Sequence, residues 1–285
     1  MKNWKSIISI FGTFALIWFL KFYIIFPEIN SEIISVILTI SSILFGFLAG
    51  FFISELWSRY SEIRSIQGTR SSFGINMTKD AEYFFKNEKF KKSFLELTEK
   101  SSIVDEIVEW NEGHIELPYY RNIQKSFMLI QEDEIQTNKS TLYFEYMLNA
   151  YHQYVENTVR LDTLGKERLF VSEWIMMTIL SLIIALSVLF INVSNLFFQA
   201  IVLVFPVIIM LAMKIIYDLD TLSWSKESVS LEPNQRIFDA LGLKRFYLKK
   251  KKKFISRRVK DYRTEDDLTP ELKKLYTDVF ELKKS

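Results

Sequence analysis

Long uncharged stretches alternate with charged, periodic segments along this chain of 285 residues. Residues 33–54, 174–191 and 196–213 contain no charged side chain, and each approaches the roughly 20 apolar residues that a helix needs to cross a bilayer. A fourth stretch, residues 7–26, is interrupted only by Lys21, whose long side chain can reach the headgroup layer. The pattern predicts four transmembrane helices.

The first apolar stretch follows Lys2 and Lys5 and in this respect is similar to a secretory signal. Its apolar run is longer than the roughly 7–15 residues of a signal core, and no small-x-small cleavage site follows it. We therefore expect this segment to be kept as a membrane anchor.

The four predicted transmembrane helices form two hairpins, and basic residues indicate their orientation. The connections Pro27–Glu32 and Asn192–Asn195 contain no Lys or Arg. Basic residues flank the opposite ends, namely Lys2, Lys5, Arg59, Arg64, Lys166 and Arg168. Because basic residues are enriched on the cytoplasmic side, we expect a multi-pass protein of the cell (inner) membrane with both termini in the cytoplasm.

The segment between the hairpins, residues 58–170, is predicted to form a helical cytosolic domain. Its apolar residues recur at helical spacing, as in Leu142, Met147 and Tyr151, and no run alternates as a half-buried strand does. The predicted fold class is all-α, a polytopic membrane protein with four transmembrane helices in two hairpins and a helical cytosolic domain. Its segments are residues 1–57, 58–170, 171–217 and 218–285.

The C-terminal segment is predicted to end in an amphipathic helix. Thr269 can cap this helix and Pro270 can open it. One face is apolar, formed by Leu268, Leu272, Leu275, Val279 and Leu282. Because two heptads are too few for a coiled coil, we expect this face to dock on the cytosolic domain. The piece before it, residues 218–242, is predicted to be irregular and to end in a short helix.

The composition argues against an enzyme. The chain has no cysteine and two histidines, and Gly165-Lys166, the nearest approach to a phosphate-binding loop, is followed by Glu167. The acids around His114, which are Asp105, Glu106, Glu109, Glu112 and Glu116, lack the spacing of a calcium loop, and we interpret them as a solvated helix face. No nucleophile, metal site or cofactor site is identified.

The second predicted span carries a stripe of small residues. Ser35, Thr39, Ser42, Gly46, Ala49 and Gly50 share one helix face. One interpretation is close packing against a neighbouring span, which the pair Gly46 and Gly50 would allow; the other is the wall of a water-filled pore. Phe47 and Phe51, at spacing i, i+4, would then form an apolar neck that gates by dewetting. Without an axis of symmetry the same rings would face lipid or the core.

Arg59, Arg64 and Arg70 follow this span on the same helical segment. If the span lines a pore, these arginines would line a vestibule and raise the local anion concentration. The alternative is anchoring on the cytoplasmic side together with pairing along the helix, with Glu55 and Glu62 as partners.

Three stretches resemble the bacterial bestrophin-like family of multi-pass membrane proteins. They are "SELWSRYSEIRSIQGTR" at 54–70, "NTVRLDTLGKERLFVSEW" at 157–174 and "DLDTLSWSKESVSLEPNQRIFDAL" at 218–241. The resemblance implies a homo-oligomer, a pentamer in bestrophins, with a central anion pore lined by the second span and with Phe47 and Phe51 as neck residues. The calcium clasp of animal bestrophins has no matching acidic run.

A basic run stands out near the C-terminus. Residues 244–263 carry a net charge of +10 in a chain whose total is +2. Seven of the basic side chains are candidates for contact with anionic lipid, namely Lys249, Lys250, Lys251, Lys252, Lys253, Arg257 and Arg258. A nucleic-acid partner lacks an accompanying fold motif, and a solvated linker is the third interpretation.

The sequence therefore predicts a bestrophin-like oligomeric ion channel that conducts inorganic anions, with the lipid bilayer and further copies of the chain as its partners. The alternative is a non-conducting membrane scaffold or effector, whose cytosolic domain recruits a partner.

Overall fold

The structure is a computed structural model that describes residues 31–107, 117–190, 196–222, 232–249 and 261–274, together with residue 277. Most of these residues are helical. The helices are α1 Ser31–Ala81, α2 Glu88–Ile107, α3 Leu117–Phe127, α4 Asn138–Lys166, α5 Val171–Phe190, α6 Leu196–Asp220 and α7 Glu232–Ala240. Two short strands, β1 Arg245–Phe246 and β2 Tyr262–Arg263, pair in parallel, and residues 270–274 are helical.

Helix α1 is one uninterrupted helix of 51 residues. It contains no proline, and its four glycines are single, so nothing in the sequence forces a break between its apolar and charged halves. The prediction that the apolar stretch 33–54 and the charged segment after it form one continuous helix is confirmed. After α1, Asn87 starts α2, because its side-chain oxygen accepts a hydrogen bond from the Phe90 N–H at 3.0 Å.

The chain divides into two compact units, residues 1–58 with 168–223 and residues 59–167 with 224–285. In the first unit the apolar half of α1 packs with α5 and α6. The shared cluster contains Phe45, Ala49, Phe52, Leu56, Met177, Ile184, Val188, Ile209, Ile216 and Leu219.

Among the described residues, two helical segments are long and apolar enough to cross a membrane, and they lie within Glu32–Phe84 and Asn138–Phe190. In the most apolar 18 residues of each segment, only 22% and 11% are buried. The core helix of a soluble domain would be mostly buried. Of the other two predicted spans, residues 196–213 lie within α6, and residues 7–26 lie outside the described residues.

The second unit has an aromatic core built by helices α1 to α4 and α7. Its buried members include Met77, Phe84, Phe90, Phe94, Ile123, Phe127, Met147, Tyr151, Tyr154 and Ile237. Gly74 permits the close approach of α1 in this core. A Cβ atom at residue 74 would lie 3.1 Å from Ile237 Cδ1 and 3.3 Å from Tyr154 Cε2.

The strand pair is a departure from the all-helical prediction. Each strand has two residues, too few for the alternating pattern by which a strand is recognised in sequence. A side chain holds β1 in place, because the Gln235 amide accepts from the Phe246 N–H at 2.9 Å and donates to the Phe246 carbonyl at 2.7 Å.

The predicted docking of the C-terminal amphipathic segment is confirmed for its described part. Leu268 and Leu272 are buried in a cluster with Ile103, Val104 and Phe238. The Thr269 hydroxyl accepts from the Leu272 N–H at 3.4 Å, and helical structure begins at Pro270 as predicted. The predicted contacts of Leu275, Val279 and Leu282 lie outside the described residues.

Candidate functional site

The predicted pore face of α1 is exposed on the single chain. Phe47 and Phe51 have 76% and 62% of their surface accessible, and Gly46 and Gly50 are exposed beside them. Apart from the adjacent residues and the backbone of the same helix, no described atom lies within 4 Å of the position that a Cβ atom would take at either glycine. Among the described residues, therefore, nothing packs against this pair of glycines.

The opposite face of α1 is the packed one. Phe45, Phe52 and Leu56 are buried against α5 and α6, and Ala49 is buried with them. Ala49 thus belongs to the core side of the small-residue stripe, while Gly46 and Gly50 belong to its open side. Ser42 lies at the border, half-buried, with no hydrogen-bond partner for its hydroxyl among the described residues.

Arg59, predicted to line a vestibule or to anchor the helix, is buried in the second unit. Its guanidinium donates to the Glu167 carbonyl at 2.6 Å, directly after the last residue of α4. A cation at this position meets the negative end of the helix dipole and satisfies a carbonyl that has no partner within the helix. The residue therefore acts as a C-terminal cap for α4, and its burial contradicts the vestibule prediction.

Arg70 is more deeply buried, with only 1% of its surface accessible. It forms an ion pair with Asp105 of α2 and donates to Thr158 Oγ1 and to the Tyr154 hydroxyl of α4, both at 2.7 Å. The guanidinium carbon also lies 4.5 Å from the centre of the Tyr154 ring. A buried charge of this kind persists only when it is paired and hydrogen-bonded, and Arg70 is both.

The vestibule prediction is therefore wrong for Arg70, since a guanidinium neutralised in a protein core adds no field to an aqueous path. The interpretation of Asp105 and Glu106 as a solvated face is also wrong, because both are buried. Glu109, Glu112 and Glu116 lie outside the described residues. The missed signal was the spacing of Thr98, Ser101, Ser102 and Asp105, which places these polar residues on one face of α2, all of them buried.

Tyr154 completes this buried network. Its hydroxyl donates to Asp105 Oδ2 at 3.3 Å, and its carbonyl accepts from the Thr158 hydroxyl at 2.8 Å. Burial raises the pKa of Tyr154 above its usual value of 10.0, and the nearby Arg70 charge only partly opposes that effect. Tyr154 is therefore a neutral hydroxyl that both accepts from Arg70 and donates to Asp105.

Helices α1 and α4 share a third contact, which lies between those made by Arg59 and Arg70. Arg160 of α4 pairs with Glu62 of α1 at 2.5 Å, with both side chains partly exposed. Together, the contacts Arg59 to Glu167, Glu62 to Arg160, and Arg70 to Thr158 and Tyr154 form what we call the arginine ladder. Residue numbers rise along α1 as they fall along α4, so the two helices run antiparallel.

Arg64 is the one predicted arginine of the three that is exposed, with its guanidinium carbon 6.0 Å from the centre of the Tyr60 ring. It is the only member of the set whose charge faces solvent on this chain. The positive field below the predicted span is correspondingly weaker than three solvent-facing arginines would produce.

The described end of the basic run is held by acids. The Lys249 N–H donates to the Glu265 carboxylate at 3.1 Å, and its ammonium pairs with Asp266, which raises the pKa of Lys249. At the start of the basic run, Lys244 pairs with Asp261 at 3.0 Å. The other six residues predicted to contact lipid, Lys250, Lys251, Lys252, Lys253, Arg257 and Arg258, lie outside the described residues.

Within the described ranges, no group of three or more His, Asp or Glu side chains could hold a metal ion. Comparisons with protein-family models, with curated proteins and with solved structures found no match for this chain. The features of the chain that bear on its function are the exposed face of α1, the arginine ladder and the apolar exterior of the first unit.

Proposed function

We propose that this protein is a bestrophin-like oligomeric channel of the cell membrane, with both termini in the cytoplasm, four transmembrane helices per subunit and an anion pore lined by the apolar half of α1. The observation that carries the proposal is the open face of α1, which presents Gly46, Phe47, Gly50 and Phe51 together. This face has the composition of a narrow, dewetting neck.

The exterior of the first unit supports a membrane location. Large apolar side chains on all three helices are exposed, among them Ile40, Phe47, Ile175, Ile179, Leu182, Ile208 and Leu211. Contiguous apolar surface on this scale is costly in water and suits the hydrocarbon of a bilayer.

The division of α1 into two faces supports assembly. One face already packs with α5 and α6 through Phe52 and Leu56, so a second copy can approach only on the open side. On that side, Gly46 and Gly50 would let the backbone of a helix from the second copy approach α1 closely. A ring of such helices around an axis would enclose a path whose narrowest apolar positions are Phe47 and Phe51.

Anion selectivity is supported by the family resemblance and by Arg64, whose charge faces solvent. Arg59 and Arg70 do not add to this field, since they hold the charged half of α1 against α4.

Flux measurement tests the proposal. The purified protein is reconstituted into liposomes, and chloride and potassium flux are followed beside protein-free vesicles. We expect chloride flux that rises in Phe51→Ala, because a smaller side chain widens an apolar neck. Ile175→Ala is the matched control, since Ile175 is similarly exposed but lies on α5.

Equal flux in Phe51→Ala and wild type would remove Phe51 from the neck. If a folded, correctly assembled protein passed neither ion, the channel proposal would fail and the scaffold alternative would take its place.

A further inference from the structure

The turn between α4 and α5 exposes two bulky apolar side chains next to each other. Phe170 and Val171 have 73% and 75% of their surface accessible. Arg168, two residues before Phe170, is also exposed. An adjacent pair of large apolar residues with this exposure, beside a cation, is typical of a surface that contacts something other than water.

Specific hydrogen bonds hold this turn in place. The Leu169 N–H donates to Asp220 Oδ1 at 2.8 Å, and the Phe170 N–H donates to Glu173 Oε2 at 2.7 Å. Leu169 itself packs against the apolar cluster of the first unit. Because the bond from Leu169 to Asp220 fixes the turn against α6, Phe170 and Val171 are held with their side chains exposed.

Aromatic residues with a polar atom lie near the turn, at the start of α5 and near the end of α6. The ring of Trp174 in α5 packs edge to face with that of Tyr217 in α6, at 6.3 Å between ring centres. Tyr217 is exposed, and the ammonium of Lys214 pairs with Asp218 one turn away, at 2.8 Å. Trp, Tyr and Lys near the ends of apolar helices are characteristic of the boundary between membrane and water.

We infer that the Phe170–Val171 turn is inserted into the headgroup and upper acyl layer of the cytoplasmic leaflet, where it holds the start of α5 at a fixed depth. The inference rests on the membrane location in the proposed function and is independent of conduction. Lipid is the partner that fits, because the exposed apolar surface continues from Val171 to Ile175 and Ile179 on α5. The boundary layer also accommodates Arg168 and Tyr217, which a purely apolar partner would not.

Spin labelling can test this depth directly, because the chain has no cysteine and each introduced one is unique. Phe170→Cys and Val171→Cys are labelled with a nitroxide in the full-length protein in liposomes. Collision rates with oxygen, which concentrates in lipid, and with a water-soluble nickel chelate then report depth. Ile179→Cys is the reference for the hydrocarbon region, and Met128→Cys, exposed in the second unit, is the reference for water.

We expect the oxygen-to-nickel ratio at residues 170 and 171 to fall between the two references. It should be the same in zwitterionic and anionic vesicles, because apolar burial drives the insertion. A ratio equal to that of residue 128 would overturn the inference. The inference would also be overturned if neither reagent reached a label at residue 170 or 171 and the spectrum of that label were broadened by the same label on another copy. A second copy of the chain would then cover the turn. If residue 179 were also reached by nickel, the membrane location itself would fail, and the inference with it.

Discussion

Arg70 of α1 and Asp105 of α2 form an ion pair in which each side chain is 1% exposed. The two residues are 35 positions apart in sequence, and the pair also contacts α4 through Thr158 and Tyr154. One buried contact therefore joins three helices of the second unit.

The first prediction concerns the cost of leaving Arg70 unpaired. Asp105→Asn preserves side-chain volume but removes the charge that Arg70 requires, and breaking a buried pair in this way costs about 3–5 kcal/mol. Denaturant unfolding of the full-length protein in detergent, followed by circular dichroism, measures the loss. Glu62→Gln is the control, because it removes the partly exposed ion pair with Arg160, which is worth about 1 kcal/mol or less. Equal losses in the two variants would contradict the assigned burial.

The second prediction is a dependence of stability on alkaline pH. The pKa of Tyr154 is raised in the folded state, so above pH 10 the unfolded chain ionises at this residue while the folded protein does not. Stability is therefore complete below about pH 10 and falls as the pH rises further, by at most about 1.4 kcal/mol per pH unit from this residue. The advantage of wild type over Tyr154→Phe should shrink between pH 9 and pH 11. A constant difference between the two proteins over that range would refute the prediction.

The third prediction compares two glycines of the same helix. A Cβ atom at residue 74 would meet Ile237 and Tyr154, whereas one at residue 68 would meet no described atom within 4 Å outside its own turn of helix. Gly74→Leu should therefore lower the free energy of unfolding by about 1–3 kcal/mol through overpacking. Gly68→Leu should leave it unchanged or raise it by up to about 1 kcal/mol, because leucine is the better helix former. Denaturant unfolding of both variants would show whether position 74 is the constrained one.

The fourth prediction concerns assembly through the open face of α1. Gly46→Leu should reduce the oligomeric fraction of the purified protein, measured by light scattering in detergent, because its side chain occupies the space that close helix approach requires. Thr178→Leu adds comparable bulk to an exposed position of α5 and should leave the oligomer intact. Normal oligomers and normal flux in Gly46→Leu would place residue 46 against lipid instead.

Local patterns were enough to predict several features of this protein. A long charge-free run in a stretch without proline predicts an uninterrupted helix, and α1 is one. The capping sequence at Thr269 and Pro270 and the apolar spacing of Leu268 and Leu272 predicted the start and the docked side of the last helical segment. These are properties of residues within a few turns of one another, so sequence spacing alone defines them.

The roles of Arg59, Arg70 and Asp105 depended on tertiary structure. In sequence, an arginine that faces solvent and one that is neutralised in a core look the same, because the difference lies in residues that are distant along the chain. Asp105, Tyr154, Thr158 and Glu167 are 35 to 108 positions away from the arginines that they bind. The sequence by itself determined the helices and their apolar faces, while only the packing of α1 against α2 and α4 decided which charges are buried. The reason is that burial of a charge depends on a partner supplied by another helix, and no spacing within one helix encodes that partner.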